Sequence, residues 1–246
     1  MAELAIIGGT GLTSLNNLEI TKREVVHTPY GEPSGPLTYG VLSGREVVFL
    51  ARHGYGHTIP PHMVNYRANI WALKHADVKQ VIAVAAVGGI RPDMTPARLA
   101  VPGQIIDYTH SRINTYFEDG LTHVTHVDFT YPYDEDLRQR LIGGAREAQL
   151  DAVEDGTYGA TQGPRLETAA EILRLERDGC TMVGMTGMPE AALAREQDLR
   201  YATCAVVANW AAGKTEGTIS MMMIEHYLKT GMEKARRLLE HVIPAL

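Results

Sequence analysis

Apolar runs and helix-spaced apolar residues take turns along this chain. The runs "LAII" (4–7), "EVVFL" (46–50), "GQIIDY" (103–108), "TYGATQ" (157–162), "TMVGMT" (181–186) and "YATCAVVAN" (201–209) predict strands. "QVIAVAAV" (80–87) has no polar break after Gln80, as expected of a strand covered on both faces. Between these runs, "VNYRANIWALKHA" (64–76) places Ile70, Trp71 and Leu73 at helical spacing. "DEDLRQRLIGGAREAQL" (134–150) opens on acidic residues around an N-cap, after which Leu137, Leu141 and Ala145 recur four apart. "ETAAEILRLERDG" (167–179) predicts a helix ending at glycine, and Pro189 suits the first turn of the helix "PEAALAREQ". The stretch 218–243 is helical, with Gly231 as a candidate break. Alternation of this kind implies an α/β fold, one domain over residues 1–246 with a mixed central sheet flanked by helices.

Composition narrows the function classes. The 246 residues suffice for a sizeable core, and 45% apolar with 21% charged residues is ordinary for a globular protein. A net charge of −6 argues against nucleic acid or an anionic membrane as partner, since both call for a basic surface. Cys180 and Cys204 each sit in an apolar stretch and predict buried thiols, not a disulfide framework. The start "MAELAIIGGTG" carries Glu3 and breaks at glycine too early for a secretory signal, so a cytoplasmic location is expected.

The unusual positions are the strand ends, where ligands collect in open α/β sheets. "ARHGYGH" (51–57) follows the run ending at Leu50 directly. A metal site would need further ligands, and His53 and His57 are separated by glycines that disfavour a helix; Arg52 would also repel a dication. An anion site fits better, with the planar fork of Arg52 and a second donor from His53, although a solvated polar strand end would look similar. "IIGGTGL" (6–12) lets backbone N–H groups approach an anion, but matches neither the dinucleotide pattern nor the phosphate loop. Glu167 after the Gly-Pro turn could be a capping acid, and Asn209 a turn former.

Taken in order, "IIGGTGL", "LARHGYGHTIPPHMVNYRANIWALK", "TQGPRLETAAE" and "VGMTGMPEAALARE" resemble the trimeric purine nucleoside phosphorylase and methylthioadenosine phosphorylase family, nearly end to end from Ile6 to the last helix. The resemblance implies attack of inorganic phosphate on C1′ of a purine nucleoside in purine salvage, with no metal or organic cofactor. It implies a homotrimer or a dimer of trimers, and no nucleic-acid or membrane partner. Thr10, Arg52, His53, the backbone N–H of Ala86 and Thr186 match the phosphate ligands. Ala85 departs from the threonine of methylthioadenosine phosphorylases, which removes one donor. Met185 matches the residue against the ribose, His57 joins the ribose and 5′ set, and His126 matches a position that reaches toward a neighbouring subunit's nucleoside.

At the base end the resemblance implies a sharper expectation. Adenine-selective relatives carry an Asp-x-Asp pair where this chain reads Asn209-Trp210-Ala211, and serine where it has Glu167; Leu166 completes the base set. A carboxylate at 167 accepts from N1–H of a 6-oxopurine and repels the N1 lone pair of adenine, while asparagine donates but cannot protonate N7. Both point to hypoxanthine or guanine as leaving base. Around the 5′ end, Ile219, Met221, Met222 and Ile224 are apolar, which suits a methylthio group and leaves a hydroxyl unpaired; periodicity assigns at least half of these methionines to the core instead. The expected activity is phosphorolysis of 5′-methylthioinosine to hypoxanthine and 5-methylthioribose 1-phosphate. Phosphorolysis of inosine or guanosine, for which His226 would serve the 5′-hydroxyl, and of methylthioadenosine are the alternatives.

Overall fold

The computed structural model describes residues 2–15 and 17–246. The elements run β1 (Leu4–Gly8), β2 (Glu19–Glu24), β3 (Leu37–Leu42), β4 (Arg45–Ala51), α1 (Tyr66–His75), β5 (Gln80–Gly89), β6 (Leu99–Ala100), β7 (Gln104–Asp107), α2 (Glu135–Glu147), β8 (Ala152–Val153), β9 (Thr157–Ala160), α3 (Ala169–Arg177), β10 (Met182–Gly184), α4 (Gly187–Glu196), β11 (Arg200–Trp210) and α5 (Met221–Val242). All strands join one mixed sheet around β5, which pairs parallel with β1 and β11 and antiparallel with β10.

The central strands are apolar on both faces because each face meets a helical layer. Ile7, Leu50 and Val81 pack toward Ile70 and Leu73 of α1 and Leu193 of α4. Their neighbours Ile6, Phe49 and Ile82 point the other way, toward Leu137 and Leu141 of α2 and Leu238 and Leu239 of α5. That two-residue alternation between two covered faces explains why the runs read as continuously hydrophobic. Among the described residues no helix is long and apolar enough to cross a membrane.

Helix starts follow local chemistry. The Asp134 side chain accepts from the N–H of Leu137 at α2, and Thr168 with Glu171 forms a capping box at α3. Glu167 therefore lies just outside α3 and is not its cap. Helix α5 runs unbroken through Gly231, against the expected break, because the glycine lets the helix approach Val206 of β11 where a Cβ would collide. Strands β2, β3, β6 and β8 were not anticipated. Every residue of β2, "EITKRE", is exposed, so it carries no apolar alternation, and β6 and β8 have two residues each.

Candidate active site

A break in the hydrogen-bond ladder of β5 creates the site. On one edge β1 pairs with Gln80–Ala83 and β10 with Gly88–Gly89, so residues 84–87 have no strand partner there. Alternate residues of a strand present their backbone groups to the same edge, so Val84 and Ala86 both face this opening. The carbonyl of Val84 accepts from Nη1 of Arg52 at 2.9 Å, which leaves the N–H of Ala86 directed into a cavity of about 400 Å³. A cavity of about 550 Å³ lies elsewhere, beside β2 and the end of α1, lined by Lys22, Glu24, Glu46, His75 and Asp77. The smaller one is the better candidate because backbone and side-chain donors of several strand ends converge on it.

Arg52 directly follows β4 and is only 1% exposed. Its Nε and Nη2 donate to the two carboxylate oxygens of Glu190 at 2.6 and 2.7 Å, a bidentate pair with Glu190 fully buried. Burial alone would pull the guanidinium down; attraction to and hydrogen bonding with Glu190 outweigh it and hold Arg52 protonated. Tyr201 donates to the same carboxylate at 2.8 Å. A guanidinium has five N–H groups, so two stay available to an anion. Gly9 is required beside it: a Cβ there would lie 2.6 Å from the Val84 oxygen and 2.8 Å from Nη1 of Arg52. Thr10 and Thr186 line the same end, and the N–H of Thr186 donates to the Tyr158 hydroxyl at 3.3 Å.

His53 corrects one expectation. Its Nδ1 lies 2.8 Å from the carbonyl oxygen of Ile59, which can only accept, so Nδ1 carries the hydrogen. Burial, then the charge of Arg52, pushes the ring down to about 4 from 6.5. His53 is therefore neutral, and its Nε2 offers a lone pair and not the second N–H donor expected. An anion that itself carries a proton, as hydrogenphosphate does, can donate to that lone pair. The ring also shapes stability. Below pH 6.5 the unfolded chain binds a proton that the folded one refuses until about pH 4. Stability consequently falls as pH drops through that window, by up to about 3 kcal/mol, with no contribution above it. Urea unfolding of the wild type and His53→Gln between pH 4.5 and 7.5 checks this; the variant should lose that part of the slope, and identical slopes would contradict it.

The opposite end of the cavity holds Leu166, Glu167 and Asn209. Oε1 of Glu167 accepts from the Thr161 hydroxyl at 2.6 Å, which leaves Oε2 for a ligand. A bulge in β11 between Val207 and Asn209 turns Asn209 to this end, and its Nδ2 donates to the Trp210 carbonyl at 2.7 Å. One amide N–H and the Oδ1 acceptor are left over. Met185 and His57 also line the cavity, the His57 ring edge-on to His53 at 4.9 Å.

Ile219, Met221 and Ile224 supply an apolar wall. The methionines here are not core: Met221, Met222 and Met223 are 62, 77 and 54% exposed in the first turn of α5, whose buried residues begin only at Leu228. His226 is exposed against Tyr227 and lines no part of the cavity. His126 is likewise exposed and outside it, in the 108–134 connection that precedes α2. Among the described residues no group of three or more His, Cys, Asp or Glu side chains is placed to hold a metal ion. Glu190, which lines no part of the cavity but holds Arg52, is a supporting residue that motif reading missed.

Residues 3–244 match the model of the phosphorylase superfamily. The chain is 55% identical to a probable S-methyl-5′-thioinosine phosphorylase of Pseudomonas syringae pv. tomato, covering all of both chains. It is 44% identical to a 6-oxopurine nucleoside phosphorylase of Pyrococcus furiosus, over all of this chain and 94% of that one. Among solved structures it is similar to a methylthioadenosine phosphorylase from Schistosoma mansoni in complex with adenine, with a TM-score of 0.94 and 32% identity over all of this chain and 92% of that one.

Proposed function

The chain belongs to the phosphorylase superfamily, and on that footing we propose that it cleaves S-methyl-5′-thioinosine with phosphate, giving hypoxanthine and 5-methylthioribose 1-phosphate for purine salvage. One observation carries the reading: a single cavity joins anion donors at one end to a carboxylate and an amide at the other, under an apolar wall. Phosphate sits between Thr10, the fork of Arg52, the N–H of Ala86 and Thr186. Its oxygen attacks C1′ as the C1′–N9 bond breaks, through an oxocarbenium-like sugar that the adjacent anion stabilises. The bonding electrons pass to the purine. Glu167 accepts from N1–H, Leu166 and Met185 hold base and ribose by contact, and the amide of Asn209 donates to the negative charge gathering on O6 and N7. The base leaves as an anion and takes its proton afterwards, so neither Glu167 nor Asn209 has to act as an acid.

The 5′ group distinguishes this substrate from inosine. Ile219, Met221 and Ile224 offer no partner to a hydroxyl, and His226, the residue that could, is turned out to solvent. A buried unpaired hydroxyl costs about 1–3 kcal/mol. Ile224→Asn should therefore raise the ratio of kcat/KM for inosine to that for the methylthio substrate about tenfold; an unchanged ratio would place the 5′ group elsewhere. His57 contacts the ribose side. The protein works in the cytoplasm as a homotrimer and needs no metal or organic cofactor. The exposed apolar residues Leu121, Val124 and Val127 beside His126 suit burial against a neighbouring copy. Incubating the purified protein with S-methyl-5′-thioinosine, with and without phosphate, tests the reading. Hypoxanthine should appear only with phosphate; release without it would mean hydrolysis, and no release with it would leave a binding protein.

A further inference from the structure

Arg112 lies in the same 108–134 connection that carries His126, yet its guanidinium is among the most extensively bonded groups in the molecule. Nη1 donates to the carbonyls of Met185 and Met188 at 2.8 and 2.6 Å, and Nη2 to those of Thr161 and Gln162 at 3.2 and 2.8 Å. Nε donates to the side-chain oxygen of Gln162 at 3.1 Å, and the guanidinium carbon sits 5.5 Å from the centre of the Tyr66 ring. These acceptors belong to two loops. One leaves β9 and leads to Glu167; the other leaves β10, carries Met185 and runs into the first turn of α4 at Met188. The loops touch, since a Cβ on Gly163 would lie 2.5 Å from the sulfur of Met185.

We infer that Arg112 is a positioning residue that locks the Thr161–Glu167 and Met185–Met188 loops together and so fixes the nucleoside half of the site. The planar fork suits this task, because it can bond carbonyls of two separate segments at once. The phosphate half has other anchors. Arg52 is held by Glu190 and Val84, Ala86 by the pairing of β5 with β11, and Thr186, although it lies between Met185 and Met188, by the bond from its own N–H to Tyr158. Loss of Arg112 should therefore loosen one end of the cavity and spare the other, which a general loosening of the fold would not do.

The inference rests on the proposed reaction for its kinetic arm only. Arg112→Met keeps bulk and removes all donors; Arg112→Lys keeps the charge with fewer bonds. For Arg112→Met, kcat/KM for S-methyl-5′-thioinosine should fall at least about tenfold, and its preference over the adenine analogue should shrink. Phosphate affinity, measured on the free protein by titration, should change less than about twofold, and Arg112→Lys should recover part of the loss. Hydrogen exchange should speed up in residues 161–167 and at residues 185 and 188, but not at residue 186 or in residues 8–10 and 52–53. Unchanged exchange in both loops, unchanged nucleoside kinetics, or an equal loss of phosphate and nucleoside binding would overturn the inference. If the wild type itself releases no hypoxanthine, the proposed reaction fails, while the exchange comparison still decides the role of Arg112.

Discussion

Glu190→Ala is expected to be the most damaging single change in the site. It would leave the guanidinium of Arg52, 1% exposed, without its fully buried counter-ion. Removing one member of a buried ion pair costs about 3–5 kcal/mol, because the other charge remains desolvated and unpaired. For a chain of this size each kcal/mol moves the melting temperature by roughly 2–4 °C, so a fall of about 10 °C is expected. Glu190→Gln keeps the shape but presents an amide N–H to a group that can only donate, and it too should destabilise. Function follows the same geometry. Glu190 holds the Nε and Nη2 edge of Arg52, and that hold aims the two free N–H groups at the phosphate subsite. The phosphate KM of Glu190→Gln should rise at least about tenfold, equivalent to about 1.4 kcal/mol. Thermal unfolding with phosphate-dependent kinetics checks both halves. An unchanged melting temperature together with an unchanged phosphate KM would remove Glu190 from the account.

The second large effect concerns the base. With Oε1 held by Thr161 at 2.6 Å, Glu167 presents Oε2 as the acceptor for N1–H of hypoxanthine. A hydrogen bond to a charged group contributes about 1.5–3 kcal/mol, so Glu167→Gln should lower kcat/KM for S-methyl-5′-thioinosine by about 10–100-fold. The adenine analogue should lose much less, since its N1 lone pair faces a repelling carboxylate in the wild type and a glutamine N–H in the variant. Asn209→Asp should act in the same direction, by returning a carboxyl that can protonate N7 of a 6-aminopurine. Steady-state kinetics on both nucleosides reads the ratio. Parallel losses on the two substrates would mean that residue 167 supports the loop without touching the base.

The strand ends were legible because apolar runs stop abruptly on residues that no core needs. Arg52, Thr10 and Thr186 stand out against the buried residues before them, and all three line the cavity together with Ala86, Glu167 and Asn209. The partners of those residues were much less visible. Glu190 sits where an acid at a helix N-terminus is ordinary, and only the tertiary structure, which lays α4 on β11 and α1, reveals that it faces Arg52. Arg112 lies in a connection without periodicity, and most of its acceptors are main-chain carbonyls, which leave no trace in side-chain identity. The tautomer of His53 was hidden for the same reason, since a carbonyl six residues away sets it. The bulge that turns Asn209 inward depends on the register of β11 against β5, which its own sequence does not encode. The edge strand β2 was missed because all its side chains are solvated and nothing selects an apolar face.

The central claim is that a carboxylate acceptor and a neutral amide, without any acid, select a purine able to depart as an anion. It is tested most directly by comparing kcat/KM for S-methyl-5′-thioinosine and for S-methyl-5′-thioadenosine on the wild-type protein at saturating phosphate. The geometry of Glu167 and Asn209 predicts that the inosine analogue is preferred at least about tenfold. Equal or faster turnover of the adenosine analogue would contradict it.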